Sequence, residues 1–323
     1  MGDNSYAFAV ARIRVKEKKL LSDADIAQMA AMKDEASVLA FLVDRGWGDS
    51  QAAAGAEEML SAEEAKNWAL MKELKIDPAI FEVLEYPKLF HNLKAGIKEV
   101  LTEGIHEKIF YDIEGLGREE MMQIIREKEY ASLPEFMRAA AEEAYEVMVN
   151  TRDGQRCDTI VDRGCLEAML AKSRRMKNGM MKSYVSSQVA VADIKIAVRA
   201  AKTGKSYAFL KEALAQCETL NADALAQAAS RGEEALYAYL QESGYAEAAD
   251  AIRESPSAFE RWCDNRLIET IRPQRMNSVS ASPIVAYYLA RENEIRMARI
   301  ILTAKANGFD EDSIRERVRK MYV

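Results

Sequence analysis

One five-residue pattern recurs at a fixed interval along the whole chain. Asn92-Leu93-Lys94-Ala95-Gly96 returns in type as Asp193-Ile194-Lys195-Ile196-Ala197 and again as Glu294-Ile295-Arg296-Met297-Ala298. The steps from 92 to 193 and from 193 to 294 are both 101 residues, and three such units fill a chain of 323. An acid or amide, an aliphatic residue, a base, any residue and then Gly or Ala is a weak pattern alone. Equal spacing makes it a repeat, and a repeat limits the fold to copies of one supersecondary unit.

The flanking segments repeat as well. Ile26 to Gly46 and Leu225 to Tyr245 match almost position for position, with Gly46 and Gly244 as stops where a left-handed residue ends a helix. Ser132 to Met137 echoes this segment weakly. Its Pro134 cannot sit in mid-helix, so Ser132 to Glu135 is expected to cap the start of a new helix. A second element centres on Asp162 to Glu167 and returns at Asp264 to Glu269; Ser61 to Leu74, opened by a Ser61-x-x-Glu64 capping box, takes its place in the first copy. The third element is a long helix bearing the recurring pattern. In its last copy Ser282 is the expected N-cap and Pro283 the first residue, with polar Arg291-Glu292-Asn293 interrupting the apolar stripe. Gly104, Gly204 and Gly308 are expected to end the three copies, and Gly96, Ala197 and Ala298 to let a neighbouring helix come close.

The composition agrees with helices. Ala, Leu, Glu, Lys, Arg and Met dominate, and no Pro occurs between Pro134 and Pro256. The stretch from His106 to Ile113 is the nearest approach to a strand. The expected fold is all-α: three similar helical-bundle modules at 1–104, 105–204 and 205–323, the last with a C-terminal helix, related by pseudo-threefold symmetry.

Nothing in the chain reads as an active site. His91 and His106 are the only histidines, fifteen residues apart, and zinc needs three or four converging ligands. Gly115-Leu116-Gly117 carries Glu120 where a dinucleotide fingerprint needs a third glycine, and no strand precedes it. Asp310-Glu311-Asp312 suits a helix N-terminus better than a metal, and Glu142-Glu143 lacks a histidine partner. Methionines read as core filler. Cys157, Cys165, Cys217 and Cys263 have no paired spacing and are expected to be reduced, small core residues. No catalytic, cofactor-binding or metal-binding residues are therefore expected.

A net charge of −7 argues against a dedicated nucleic-acid binder. The basic clusters at Lys16 to Lys19, Arg174 to Lys177 and Arg315 to Lys320 lie among helical apolar positions and read as solvated faces. The start leads into an amphipathic basic helix rather than a signal peptide. No stretch reaches the ~18 apolar residues of a membrane span, so membrane contact is expected only through partners.

The stretch from Pro283 to Tyr322 carries a resemblance. Pro283-Ile284-Val285-Ala286-Tyr287-Tyr288, then Glu292 to Arg299, Lys305-Ala306-Asn307-Gly308 and Ile314 to Arg317, is similar to the end of the C subunit of A-type and V-type rotary ATPases, the d subunit in eukaryotic naming. Tyr6 to Arg14 and Lys18 to Leu21 resemble that family's start, and the length suits a prokaryotic member. The resemblance implies a funnel of three helical domains, a seat on the membrane rotor ring and a socket for the central shaft. It implies a non-catalytic central-stalk adaptor coupling ion transport to ATP hydrolysis or synthesis, peripheral on the cytoplasmic face of the plasma membrane.

The loops leading into the long helices, Arg174 to Lys182 and Arg272 to Ser280, are placed alike and are basic. Arg174, Arg175, Arg272 and Arg275 are thus the expected partner-contact residues. Two other readings remain open at this stage: a stand-alone helical-repeat binding scaffold, and an all-α enzyme with an acidic metal site.

Overall fold

Glycine sets the ends of the helices that define this fold. In the computed structural model, which describes residues 6–48, 55–102, 109–278 and 280–323, Gly46, Gly204, Gly244 and Gly308 all have φ between +64° and +84°. Each follows a helix, as expected for a left-handed stop. Gly104 and His106 lie outside the described residues. The part of the strand-like run that is described, residues 109–113, forms no strand.

The described residues form an all-α chain. Its helices are α1 (Ala7–Glu17), α2 (Asp23–Ala31), α3 (Glu35–Asp44), α4 (Ala56–Glu73), α5 (Glu82–Thr102), α6 (Arg118–Glu127), α7 (Glu135–Thr151) and α8 (Gly154–Arg175). They continue as α9 (Gly179–Thr203), α10 (Tyr207–Ala213), α11 (Ala222–Ser230), α12 (Glu233–Glu242), α13 (Ala246–Glu254), α14 (Pro256–Ile271), α15 (Ser282–Ala306) and α16 (Glu311–Arg317). The three recurring patterns fall on α5, α9 and α15, three of the four longest helices among the described residues.

The capping signals hold in part. Asp310 caps α16 by accepting from the Ser313 N–H at 2.7 Å. A reciprocal box joins Ser22 and Asp25 at the start of α2, a pairing the shorter acid hid from the sequence pattern. The Ser61–Glu64 box does not open a helix: α4 begins at Ala56, behind Gly55, and Ser61 lies inside it. Glu64 turns instead to Arg299 at 3.0 Å. α7 starts near the expected place, but its cap is Pro134, with Ser132 ending a short 3-10 turn. Ser282 sits inside α15 by one residue, because its hydroxyl donates to Asn178 Oδ1 at 3.2 Å.

The chain divides into two compact units. The first comprises Met1–Asp77, Asn178–Tyr184 and Ala246–Val323, as far as these are described; the second comprises Pro78–Lys177 and Val185–Tyr245. Unit one joins the beginning of the chain to its end. Leu21, Ile26, Met29, Val38, Leu42, Trp47 and Leu60 from α2 to α4 share one core with Ile295, Ala298, Ile301, Leu302 and Ile314. In unit two, α5 packs on α6, α7 and α8. Phe136 stacks on Tyr86 with ring centroids 4.0 Å apart, and Phe90, Leu93, Ile97 and Ile125 are buried beside them.

Two glycines mark where helices approach most closely. A Cβ at Gly96 would stand 2.7 Å from Ile125 Cδ1 and 3.0 Å from Met121 Cγ, so side chains of α6 lie directly on the backbone of α5 there. A Cβ at Gly164 would stand 2.7 Å from Ala140 Cβ, between α8 and α7. Ala197 and Ala298, the small residues of the later copies, are fully buried. Cys157, Cys165 and Cys263 are buried and form no disulfide among the described residues, and burial pushes the first two thiols to about 11 and about 12, which leaves them inert. Cys217 is half-buried.

Candidate functional site

The first residue of each recurring pattern is a polar group with no exposure at all. Asn92, Asp193 and Glu294 are each 0% exposed. A buried polar group must be hydrogen-bonded or it destabilises the fold. All three meet this demand in the same way, by holding a backbone N–H in a loop that is not their own. Asn92 Oδ1 accepts from Tyr111 N–H at 2.8 Å, and its amide donates to the Tyr111 and Leu116 carbonyls at 2.9 Å. Asp193 Oδ1 accepts from Ala215 N–H at 3.0 Å. Glu294 Oε1 accepts from Leu21 N–H.

The partners follow an order. A residue within 1–104 holds one within 105–204, a residue within 105–204 holds one within 205–323, and a residue within 205–323 holds one within 1–104. Each of the helices α5, α9 and α15 thus holds a loop elsewhere in the chain through one fully buried polar side chain.

The three pins differ in charge. Asn92 is neutral. Asp193 forms no ion pair among the described residues, and its Oδ2 has no hydrogen-bond partner among them. Burial raises its carboxyl to about 7 against the lowering effect of the Ala215 N–H, with nearby Glu167 adding to the rise.

Glu294 is paired instead. Arg291 of α15 bonds both Glu294 and Glu63 of α4, all three being buried. Burial pushes the Glu294 carboxyl upward, against the pull of Arg291 and the Leu21 N–H. Burial works against the guanidinium too, yet Glu294 and Glu63 hold it above its ordinary value, so it stays charged.

The rest of the network fixes this triad in place. The Trp47 ring covers the guanidinium at 4.3 Å, Gly48 N–H donates to Glu63 at 2.9 Å, and Lys66 meets Glu63 at 2.8 Å. Lys66, Glu63, Arg291 and Glu294 thus form a charge-balanced line running inward from the surface. Removing one member of the buried triad Glu63, Arg291 and Glu294 costs about 3–5 kcal/mol, because its partner is left buried and alone. The polar interruption at Arg291 was the only sequence sign of it; Glu63, 228 residues away, gave none.

Two of the three bases of the recurring pattern meet acids of the second element. Lys94 meets Asp162 at 2.7 Å and Arg296 meets Asp264 at 3.2 Å. The C-terminal basic cluster is paired too, through Arg319 to Asp264 at 2.8 Å and Lys320 to Glu269 at 2.7 Å.

The four expected contact arginines fall as two pairs on different units. Arg174 and Arg175 end α8 and are exposed; Arg174 faces Glu218 at 3.8 Å, a loose pair of little energetic weight. Arg272 opens the short 3-10 turn after α14 and its Nε donates to the Tyr322 carbonyl at 3.4 Å, while Arg275 on the same turn is exposed. His91 is engaged with the Ile109 carbonyl at 2.8 Å. Among the described residues no group of three or more His, Cys, Asp and Glu is placed to hold a metal ion, and no helix is long and apolar enough to cross a membrane.

Comparison with known proteins adds two findings. The family described as ATP synthase (C/AC39) subunit matches residues 9–317. A protein of Enterococcus hirae, named as the C subunit of a V-type sodium ATPase, is 21% identical over 271 residues, covering 82% of this chain and 82% of that protein.

Proposed function

Since that match spans nearly its whole length, the chain belongs to the ATP synthase (C/AC39) subunit family, and on that ground we propose that it is a non-catalytic central-stalk adaptor of a V/A-type rotary ATPase. It links the membrane rotor ring to the central shaft, so that ion transport is coupled to ATP hydrolysis or synthesis elsewhere in the complex. The family match is the observation that carries this reading. The protein sits peripherally on the cytoplasmic face of the plasma membrane, held there by its partners.

The physical demand on such a part is to pass torque without yielding. Close-packed helices are dense and transmit strain well. The cyclic order of the three pins supports a pseudo-threefold funnel of three modules, 1–104, 105–204 and 205–323, in which each long helix locks the following repeat. A loop pinned through a fully buried side chain has little freedom to give under load.

The shaft then seats against a polar, charged mouth, as a non-obligate interface does. Arg174, Arg175, Arg272 and Arg275 are the residues proposed to meet it. Their exposed or half-buried placement at helix ends supports this assignment. Reversing these charges is expected to weaken binding of the shaft at low salt; unchanged binding would remove the four arginines from the interface.

The central claim is tested by leaving this protein out. In a complex assembled without it, ATP hydrolysis by the soluble head should persist while ion pumping stops. Pumping that survives intact rules out the coupling role.

A further inference from the structure

Helix α1 carries more apolar surface than its seat in unit one uses. Ala9, Val10 and Ile13 are buried and anchor it. On the outer side Phe8 is 74% and Val15 63% exposed, with exposed Ala11 between them. Positions 8, 11 and 15 follow the helical period, and exposed Lys18 and Lys19 stand in the turn that follows α1. The outer face is thus an apolar stripe about 10 Å long, followed in the chain by two positive charges.

A second element is tied to this helix. Arg14 of α1 donates to the Gln274 carbonyl at 2.8 Å and to that of Asn277, which ties the turn after α14 to α1. Between those two carbonyls stands Met276, 90% exposed, next to exposed Arg275. The one carboxylate of α1, Glu17, is already taken by Arg14 and the Tyr322 hydroxyl. Lys18, Lys19 and Arg275 form no ion pair among the described residues. In a chain of net charge −7, this is a local surplus of positive charge around exposed apolar tips.

We propose that this face, Phe8, Ala11, Val15 and Met276 with Lys18 and Lys19, lies directly against an anionic lipid surface. The apolar side chains stand clear of the protein rather than lining a groove. A bilayer interface accepts such tips without a complementary pocket, and its anionic headgroups match unpaired cations. A protein partner would have to supply both a fitted groove and its own acids. The contact is peripheral and shallow. It goes beyond the proposed function, which gives membrane contact to partner proteins alone.

Co-sedimentation of the full chain with protein-free vesicles tests this. Vesicles of equimolar phosphatidylglycerol and phosphatidylcholine should carry the protein down, and pure phosphatidylcholine should not. Phe8→Ser, Val15→Ser and Met276→Ser together should weaken binding at least about tenfold, as should Lys18→Glu with Lys19→Glu. These side chains are exposed, so an unchanged thermal melt shows that the fold survives. No binding to the anionic vesicles at low salt overturns the proposal. So does binding that the serine variants leave intact, which would mean non-specific charge attraction. Binding only to membranes that hold the rest of the ATPase would assign the face to a protein partner instead. The vesicles contain no other protein, so failure here leaves the adaptor reading to its own test.

Discussion

At positions 92, 193 and 294 one task is done with three different charges. Asn92 offers a neutral acceptor and keeps its own donors satisfied. Glu294 is an acid that needs Arg291. Asp193 is an acid whose Oδ2 has no hydrogen-bond partner among the described residues, so burial favours its protonated form against the pull of the Ala215 N–H. Its folded pKa of about 7 stands above the ordinary 3.8, so the folded chain binds an extra proton between those values. The stability linked to that proton is complete below the lower value and is lost as pH rises through the upper one. D193N keeps the acceptor and cannot ionise. Between about pH 5 and pH 7 the wild type should therefore lose stability relative to D193N, by up to about 1.4 kcal/mol per pH unit, and level off above. Urea unfolding midpoints of the two proteins across that range read this out. Parallel profiles would mean that Asp193 stays charged when buried.

Among the elements, the stops at Gly46, Gly204, Gly244 and Gly308 were legible because few other residues tolerate that backbone conformation. The closing positions of the repeat were legible because periodicity and small residues mark a close approach. Starts were harder to read. Ser-x-x-Glu at residue 61 signals a helix start only where the preceding residues resist helix, and Ala56 to Leu60 do not. The ion triad was hidden, since Glu63 and Arg291 each look like ordinary surface residues until the fold joins them. The contact face on α1 was hidden for the opposite reason: Phe8 and Val15 fit a core stripe, and only packing shows that the core takes the other side.

The two close approaches make opposite predictions for one substitution. At Gly96 an added methyl meets the Cδ1 end of Ile125 and the Cγ of Met121, side-chain atoms that can turn aside, and alanine favours helix by about 1 kcal/mol. G96A should be near neutral. At Gly164 the methyl meets Ala140 Cβ, fixed on the backbone of α7. G164A should destabilise by about 1–3 kcal/mol despite the same helix gain. Thermal melts of the two variants check the contrast, and equal shifts would refute the rigid contact.

For the whole molecule, the two units differ most in how far apart in sequence their contacts are. Unit two forms much of its core from α5 to α8, and Lys94 meets Asp162 across 68 residues. Unit one joins α1 to α4 with α13 to α16, and Glu63 meets Arg291 across 228. Its closing contacts sit at the end of the chain, where Met321 N–H donates to Asp23 at 2.7 Å and Tyr322 is buried. Closing the longer loop costs about 1 kcal/mol more entropy, and distant contacts slow folding. Helices α1 to α4 also cannot complete their core until α15 arrives. Refolding should therefore protect the amides of α5 to α8 before those of α2 to α4. Pulsed hydrogen exchange read by mass spectrometry resolves the two sets. If α2 to α4 are protected first, they form a stable nucleus without α15, and the pin from Glu294 to Leu21 is a late ornament rather than the closure of the unit.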